Sequence, residues 1–232
     1  MFFKILMRCF TQLCILCGYP SSHTSAICED CEQSLPILPR HCQQCARFLT
    51  ATSTLTCGAC LKNPPAFTVT HALFPYKPPI NRLIAKLKFQ GELCYAKTLG
   101  KRMAKQIQTS WYLDQPLPDL IIPIPLHFKR VRERGFNQAV EIAKPIAKAL
   151  SIPIDYHGVT RNKKTIAQSG LSAHLRKNNI TGAFSSSQNY QGLTIALVDD
   201  VMTTGHTVME CAHLLNKKGA TRIDVWCAAR NG

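Results

Sequence analysis

Two adjacent carboxylates, Asp199 and Asp200, follow the apolar run Leu193–Val198 and lead through Val201-Met202 into Thr203-Thr204-Gly205-His206-Thr207. An apolar run of this length reads as a strand, and the residues after Thr207 read as a helix. Acids at the carboxyl end of such a strand are placed to accept hydrogen bonds from sugar hydroxyls. The small, hydroxyl-rich turn offers backbone N–H groups and side-chain oxygens to a phosphate at the helix N-terminus. The expected ligand is a phosphorylated sugar, held by Asp199 and Asp200 on its hydroxyls and by Thr203, Thr204, Gly205, His206 and Thr207 on its phosphate. An ordinary turn with Thr204 or Thr207 as helix N-cap would use the same residue types.

A second chemical centre lies upstream. The stretch Pro125–Gln138 packs Lys129, Arg130, Arg132 and Arg134 into six residues around an expected turn. Guanidinium groups bind phosphate through paired hydrogen bonds, so Lys129, Arg132 and Arg134 suit a pyrophosphate. A solvated basic loop is the plainer alternative. A third stretch, Thr160–Phe184, adds Arg161 and Lys163 without clear periodicity and fits either a flap over the site or a surface excursion.

Eight of the twelve cysteines form four pairs of two-residue spacing: Cys14/Cys17, Cys28/Cys31, Cys42/Cys45 and Cys57/Cys60. That spacing turns both sulfurs of a pair toward one ion, and two pairs complete a tetrahedral zinc site with no open position, a structural rather than catalytic arrangement. Two zinc ions are expected. Sequential pairing gives Cys14, Cys17, Cys28 and Cys31 one ion and Cys42, Cys45, Cys57 and Cys60 the other; a crossed pairing of the first and third pairs satisfies the same spacing. Disulfides are the rival chemistry, but nothing in the opening residues resembles a secretion signal, which favours a reducing cytoplasmic setting. Residues 14–60 hold few large apolar side chains, so metal would supply the stability that burial cannot.

These centres need a scaffold. Apolar residues make up 46% of the 232 and charged ones 18%, which excludes a disordered chain. Leu120–Pro125, Ile152–Tyr156, Leu193–Val198 and Arg222–Ala228 read as strands. Asn137–Leu150 and Thr207–Lys218 read as helices between them, implying an α/β fold with a parallel sheet covered on both faces. Ligands of such sheets bind beyond the carboxyl ends of the strands, where both chemical loops would meet. Leu83, Ile84 and Leu87, then Ala96, Leu99, Met103 and Ile107, mark the apolar faces of two more helices. The expected organisation is a zinc module at 1–63, a linker with basic helices at 64–118 and the α/β domain at 119–232.

The formal charge of +15 points to polyanionic partners. Eight thiolates around two zinc ions would subtract about four charges and leave the chain basic. Arg82 and Lys86, and then Lys97, Lys101 and Lys105, recur every four residues on the polar faces of the two helices with almost no interleaved acids. With Arg161 and Lys163 they form a candidate nucleic-acid surface, against the alternative of a solvated helix face. No run reaches the roughly 18 apolar residues that span a bilayer. Met1–Phe10 is expected to be a short amphipathic helix.

The Asp199–Thr207 segment resembles the phosphoribosyl pyrophosphate (PRPP) loop of type I phosphoribosyltransferases; His206 stands where that motif usually has a small residue, and its ring is expected to point outward. Together with the tandem cysteine pairs, the block Leu87-Lys88-Phe89, the run Arg134-Gly135-Phe136-Asn137-Gln138, and Arg161, Thr165 and Gln168, it resembles the ComF competence family across almost the whole chain. Lys163 replaces the family's usual arginine. The resemblance implies a type I phosphoribosyltransferase-like fold behind a double zinc ribbon, with Mg²⁺ accompanying PRPP. It also implies a cytoplasmic protein that handles incoming single-stranded DNA in natural transformation, beside a competence helicase and DNA-processing proteins. A working Mg²⁺-dependent phosphoribosyltransferase, with Asp199 and Asp200 as its catalytic acids and an unknown acceptor, is the alternative.

Overall fold

The computed structural model describes residues 12–21, 26–50, 54–162 and 182–232. The expected helix over Met1–Phe10, Lys163, and the part of the expected flap between 163 and 181 lie outside the described residues.

Four parallel strands form the central sheet, in the order β3-β8-β7-β4: β3 is Val69–Pro75, β4 Leu120–Pro123, β7 Thr194–Met202 and β8 Arg222–Arg230. Successive residues of β7 face opposite sides, so Ala196 and Val198 enter one core while Ile195 and Leu197 enter the other. On the first side lie α3 (Ile80–Gln90), α4 (Leu93–Gln106) and α6 (Gln138–Leu150), burying Ile84, Leu87, Leu99, Met103, Ile142 and Ile146. On the second, α7 (His206–Lys217) buries Val208, Cys211 and Leu215. Helices α4 and α6 approach closely at Gly100, where a Cβ would strike the Ile142 carbonyl oxygen and Pro145 Cγ.

The stretch expected to be a linker into the basic helices also supplies β3. Its edge is covered by the zinc module, with Thr70 N–H reaching the Gln43 carbonyl at 3.4 Å. The expected strand at Ile152–Tyr156 is reduced to one parallel bridge, Ile121 to Ile154, because Pro153 has no N–H to continue the ladder. The expected basic turn after β4 is instead a short helix, α5 (Phe128–Arg134), started by His127 Nδ1 accepting from Lys129 N–H and stopped by Gly135 at φ 86°.

Ahead of the sheet lie two small ribbons. The first holds a two-residue hairpin, β1 (Gln12–Leu13) with β2 (Pro20–Ser21), and α1 (Glu29–Gln33); the second carries α2 (Gly58–Lys62). The remaining pair, β5 (Thr160–Arg161) and β6 (Phe184–Ser185), is antiparallel and separate from the main sheet.

Arg230, at the end of β8, joins ribbon to sheet. Its buried guanidinium donates through Nε to the Cys45 carbonyl at 2.9 Å and through Nη1 to the Met202 carbonyl at 3.0 Å, and also to the Thr203 carbonyl. One side chain thus ties a cysteine of the second ribbon to the start of the turn after β7.

Candidate functional site

Asp199 and Asp200 lie within β7, which stays paired with β8 as far as Met202, but beyond the last β4 pairing at Pro123–Val198, so they emerge where β4 no longer flanks the strand. Asp200 is 7% exposed and Asp199 half-buried, beside a cavity of about 750 Å³ at the carboxyl ends of β4 and β7. Its walls also carry Lys88 and Phe89 from the end of α3, Arg130 and Arg134 from α5, Arg161 from β5, and Thr207 from α7. Asp199 and Asp200 therefore face four cations across one crevice, with Glu133 of α5 as a third acid in its wall.

The acids differ in their surroundings. Asp200 makes an ion pair with Lys88. Asp199 accepts the Asp200 N–H at 2.8 Å. Burial first, and then the charge of Asp200, pushes the Asp199 carboxyl up to about 8, against a smaller opposing pull from Lys88. Burial also lowers the Arg134 and Arg161 guanidinium groups, with Asp200 and Asp199 respectively acting the other way. Cations held partly out of water bind an arriving anion more strongly than solvated ones.

A folded-state pKa above the unfolded value means that the native protein binds the extra proton between about pH 4 and pH 8. Stability contributed by this site falls as pH rises through that window. Asp199→Asn is expected to raise the melting temperature most at pH 8, by about 3 °C, the shift that ~1 kcal/mol produces in a chain of this size. The gain should shrink toward pH 4, which a melting series across pH will check.

The turn between β7 and α7 places Thr203, Thr204, Gly205 and His206 directly beyond the acids. Gly205 is the N-cap of α7 at φ 81°, and its Cβ position lies 2.7 Å from Met202 Cε, so glycine serves both the backbone and the packing. The His206 ring folds back so that Nδ1 lies 3.2 Å from Thr204 Oγ1, rather than pointing outward as the sequence suggested.

Of the other expected phosphate ligands, Arg134 lines the cavity and Lys129 does not; Arg132 lines a neighbouring cavity instead. Arg161, expected on a nucleic-acid surface, stands in the wall of the crevice with its guanidinium 5.5 Å from the Phe184 ring centre. Arg82, Lys86, Lys97, Lys101 and Lys105 are all exposed on α3 and α4, away from the cavity lining, and Lys86 bonds Tyr95 OH at 3.2 Å. Sequence reasoning did not assign Lys88, Arg130 or Asn137 to the pocket. Lys88 stands two residues, about 200° of helical turn, from Lys86, so the two point to different sides of α3, and Lys88 reaches an acid of β7 while Lys86 bonds Tyr95.

The cysteines gather sequentially: Cys14, Cys17, Cys28 and Cys31 in one cluster and Cys42, Cys45, Cys57 and Cys60 in another, all sulfurs of each within 4.8 Å of one another. Thiolates about 2.3 Å from one tetrahedral ion stand about 3.8 Å apart. Cys17 and Cys28 sulfurs are 3.6 Å apart and those of Cys45 and Cys57 3.7 Å, so both clusters fit zinc. Backbone N–H groups of Leu16 and Cys57 approach Cys14 and Cys42 sulfurs at 3.5 and 3.3 Å, the kind of contact that stabilises a metal-bound thiolate. Burial opposes ionisation of Cys14 and Cys57, yet backbone and thiol hydrogen bonds bring them down to about 6 and about 7. Cys31 and Cys60 are pushed up by neighbouring thiols and burial. Four thiolates this crowded need a dication to coexist.

No described helix is long and apolar enough to cross a membrane. Residues 137–232 match the phosphoribosyl transferase domain family and residues 5–61 the double zinc ribbon domain family. The chain is 37% identical over 221 residues to DNA utilization protein YhgH of Escherichia coli K12, covering 94% of this chain and 96% of that protein. It is 34% identical over 230 residues to Competence protein F of Haemophilus influenzae, covering 97% and 100%. Among solved structures, the glutamine PRPP amidotransferase of Bacillus subtilis aligns at a TM-score of 0.38 and 21% identity, over 57% of this chain and 25% of that one.

Proposed function

Since the chain belongs to the family of DNA utilization protein YhgH and Competence protein F, we propose that its crevice binds PRPP or a closely related sugar pyrophosphate within a protein that handles single-stranded DNA. The observation that carries the ligand is the meeting of Asp199, Asp200 and Thr207 with Arg130, Arg134 and Lys88 around one cavity. In this reading Asp199 and Asp200 accept from the ribose hydroxyls, and the Thr203–Thr207 turn receives the 5′-phosphate on its N–H groups and hydroxyls. Arg134 and Arg130 take the pyrophosphate, and Lys88 exchanges its pairing with Asp200 for the arriving anion. Mg²⁺, where it accompanies PRPP, neutralises the pyrophosphate.

DNA handling is supported by the names of these relatives and by the excess positive charge, part of which is the exposed row Lys97, Lys101 and Lys105 on α4. Incoming DNA in natural transformation, a competence helicase and DNA-processing proteins as partners, and a cytoplasmic setting belong to the same reading.

A second reading, a working phosphoribosyltransferase of unknown acceptor, draws on the acids and cations facing each other across the crevice. That layout stabilises positive charge at an anomeric carbon while pyrophosphate departs. Calorimetric titration of Mg²⁺·PRPP into zinc-loaded protein, with pyrophosphate followed in the same samples, tests both. Saturable binding is expected. Steady pyrophosphate release above spontaneous decay would favour the transferase, and no binding at all would sink the sugar-pyrophosphate reading.

A further inference from the structure

Beside the crevice lies a second cavity, of about 730 Å³, between α5, α6 and the segment Tyr156–Arg161. The two share Leu126, Asn137 and Arg161 in their walls. The second has a different character. Pro123, Pro125, Val131, Val140 and Val159 make its floor apolar, and two aromatic rings, Phe128 and Tyr156, stand in its wall. Both rings are in contact with solvent, 55% and 47% exposed.

Large aromatic side chains usually bury their surface, so exposed rings grouped at one cavity mark a binding surface. Among the described residues four aromatic side chains stand exposed: Tyr19, Phe89, Phe128 and Tyr156. Phe89 lines the first cavity and Phe128 and Tyr156 the second, so three of the four border this pair of joined walls. Cations accompany them. Arg132 and Lys144 line the second cavity together with Arg161, and of these Lys144 also bonds Glu141 at 2.6 Å.

Apolar floor, open rings and flanking cations are the three elements of a site for single-stranded nucleic acid. A base offers an apolar face to an aromatic ring whatever its identity, and its phosphates need nearby positive charge. A membrane surface or an acidic peptide would use the cations without needing rings that stand in a cavity. We infer that this second cavity takes a base of a single strand between Phe128 and Tyr156, with Arg132 and Lys144 on the adjoining phosphates. The inference rests on the reading of the chain as a strand-handling protein and gives that reading a place distinct from the exposed faces of α3 and α4. It also sets the strand against the wall of the sugar-pyrophosphate crevice, with Arg161 common to both.

The test is fluorescence anisotropy of a labelled oligothymidylate, about 12 nucleotides long to match the footprint of such sites, with the zinc-loaded full chain at several salt concentrations. Phe128→Ala and Tyr156→Ala should each weaken binding about tenfold, the loss expected for one base–aromatic stack, with the salt slope unchanged. Arg132→Gln should weaken binding and lower the salt slope by about one. Tyr156→Phe and Phe128→Trp keep the ring and should bind like the wild type. Melting curves and zinc content establish that each variant is folded, independently of any ligand, and both rings are exposed enough that truncation leaves the core intact. Unchanged affinity in folded alanine variants would overturn the inference, as would absence of strand binding by the wild type. PRPP titration of the same samples separates the two sites: strand binding lost with PRPP binding kept supports the inference, whereas PRPP failing to bind the wild type would count against the crevice reading alone.

Discussion

Removal of zinc by a strong chelator will unfold the segment from Gln12 to Lys62 and weaken ligand binding at the distant turn Thr203–Thr207. The ribbons have little apolar core of their own: Cys42, Cys57 and Cys60 form one small cluster with Cys45 and Leu49 packed on it, while Ile27 and Leu35 of the first ribbon are buried against the body of the protein. A core that small does not offset the entropy of ordering the chain. Ligation does, since a structural zinc site made of four thiolates contributes on the order of 10 kcal/mol of folding free energy at neutral pH. The parallel sheet has its own two cores and should survive. The link to the ligand runs through Arg230, whose guanidinium bonds the carbonyl of Cys45 on one side and those of Met202 and Thr203 on the other. Once Cys45 is released, that buried cation loses an acceptor and the start of the turn loses its anchor. The expected result is a two-step melting profile with loss of amide-exchange protection confined to the ribbons and their contacts. Affinity for Mg²⁺·PRPP should fall roughly tenfold, the effect of about 1.4 kcal/mol. A single unchanged transition in metal-free protein would show that the cysteines do not stabilise through metal. Unchanged PRPP affinity with the ribbons unfolded would show that the Arg230 link does not reach the site.

The Asp199→Asn/Asp200→Asn double variant should fold as well as the wild type and fail to bind Mg²⁺·PRPP. The isosteric amides remove both the burial penalty and the repulsion from Asp200 that push Asp199 up, so no loss of stability is expected. The ribose hydroxyls lose carboxyl acceptors, and a bond to a charged one such as the Lys88-paired Asp200 contributes about 1.5–3 kcal/mol. The amide groups leave Lys88 without an ionic partner as well. A hundredfold or greater weakening of affinity is expected in calorimetry, set beside a melting temperature at or above that of the wild type. Retained affinity would remove the acids from the site and turn attention to the cations alone.

Local sequence was enough for several features because their chemistry is short-range. Two-residue cysteine spacing determines that a pair of sulfurs can share an ion, and an apolar run ending in Asp199-Asp200 before Thr203-Thr204-Gly205 determines a strand, a turn and a helix start. The periodicity of Leu83, Ile84 and Leu87, and of Leu99 and Met103, likewise specified buried helix faces, and the alternating elements specified a parallel sheet. Secondary structure failed where one residue's hydrogen bonding or a neighbouring strand outweighed pattern: Pro153 cut short the strand expected at Ile152–Tyr156, His127 and Gly135 turned a basic loop into α5, and β3 arose in a stretch rich in prolines because β8 offered it an edge.

Tertiary structure alone decided which charges meet. Lys88 pairs with Asp200 while Lys86, two residues earlier on the same helix, bonds Tyr95. Arg130 and Arg134 face the crevice, whereas Arg132, between them on α5, faces the neighbouring cavity. Arg230 carries no motif in the sequence and proves to be a buried joint between the second ribbon and the turn that starts at Thr203. Phe128 and Tyr156, scattered along the chain, share one cavity wall. Ligand-type identity is written in spacings of a few residues, which backbone geometry reads locally. The partner of a long charged or aromatic side chain is set by which helices the two cores press against the sheet, and that is a property of the packed chain.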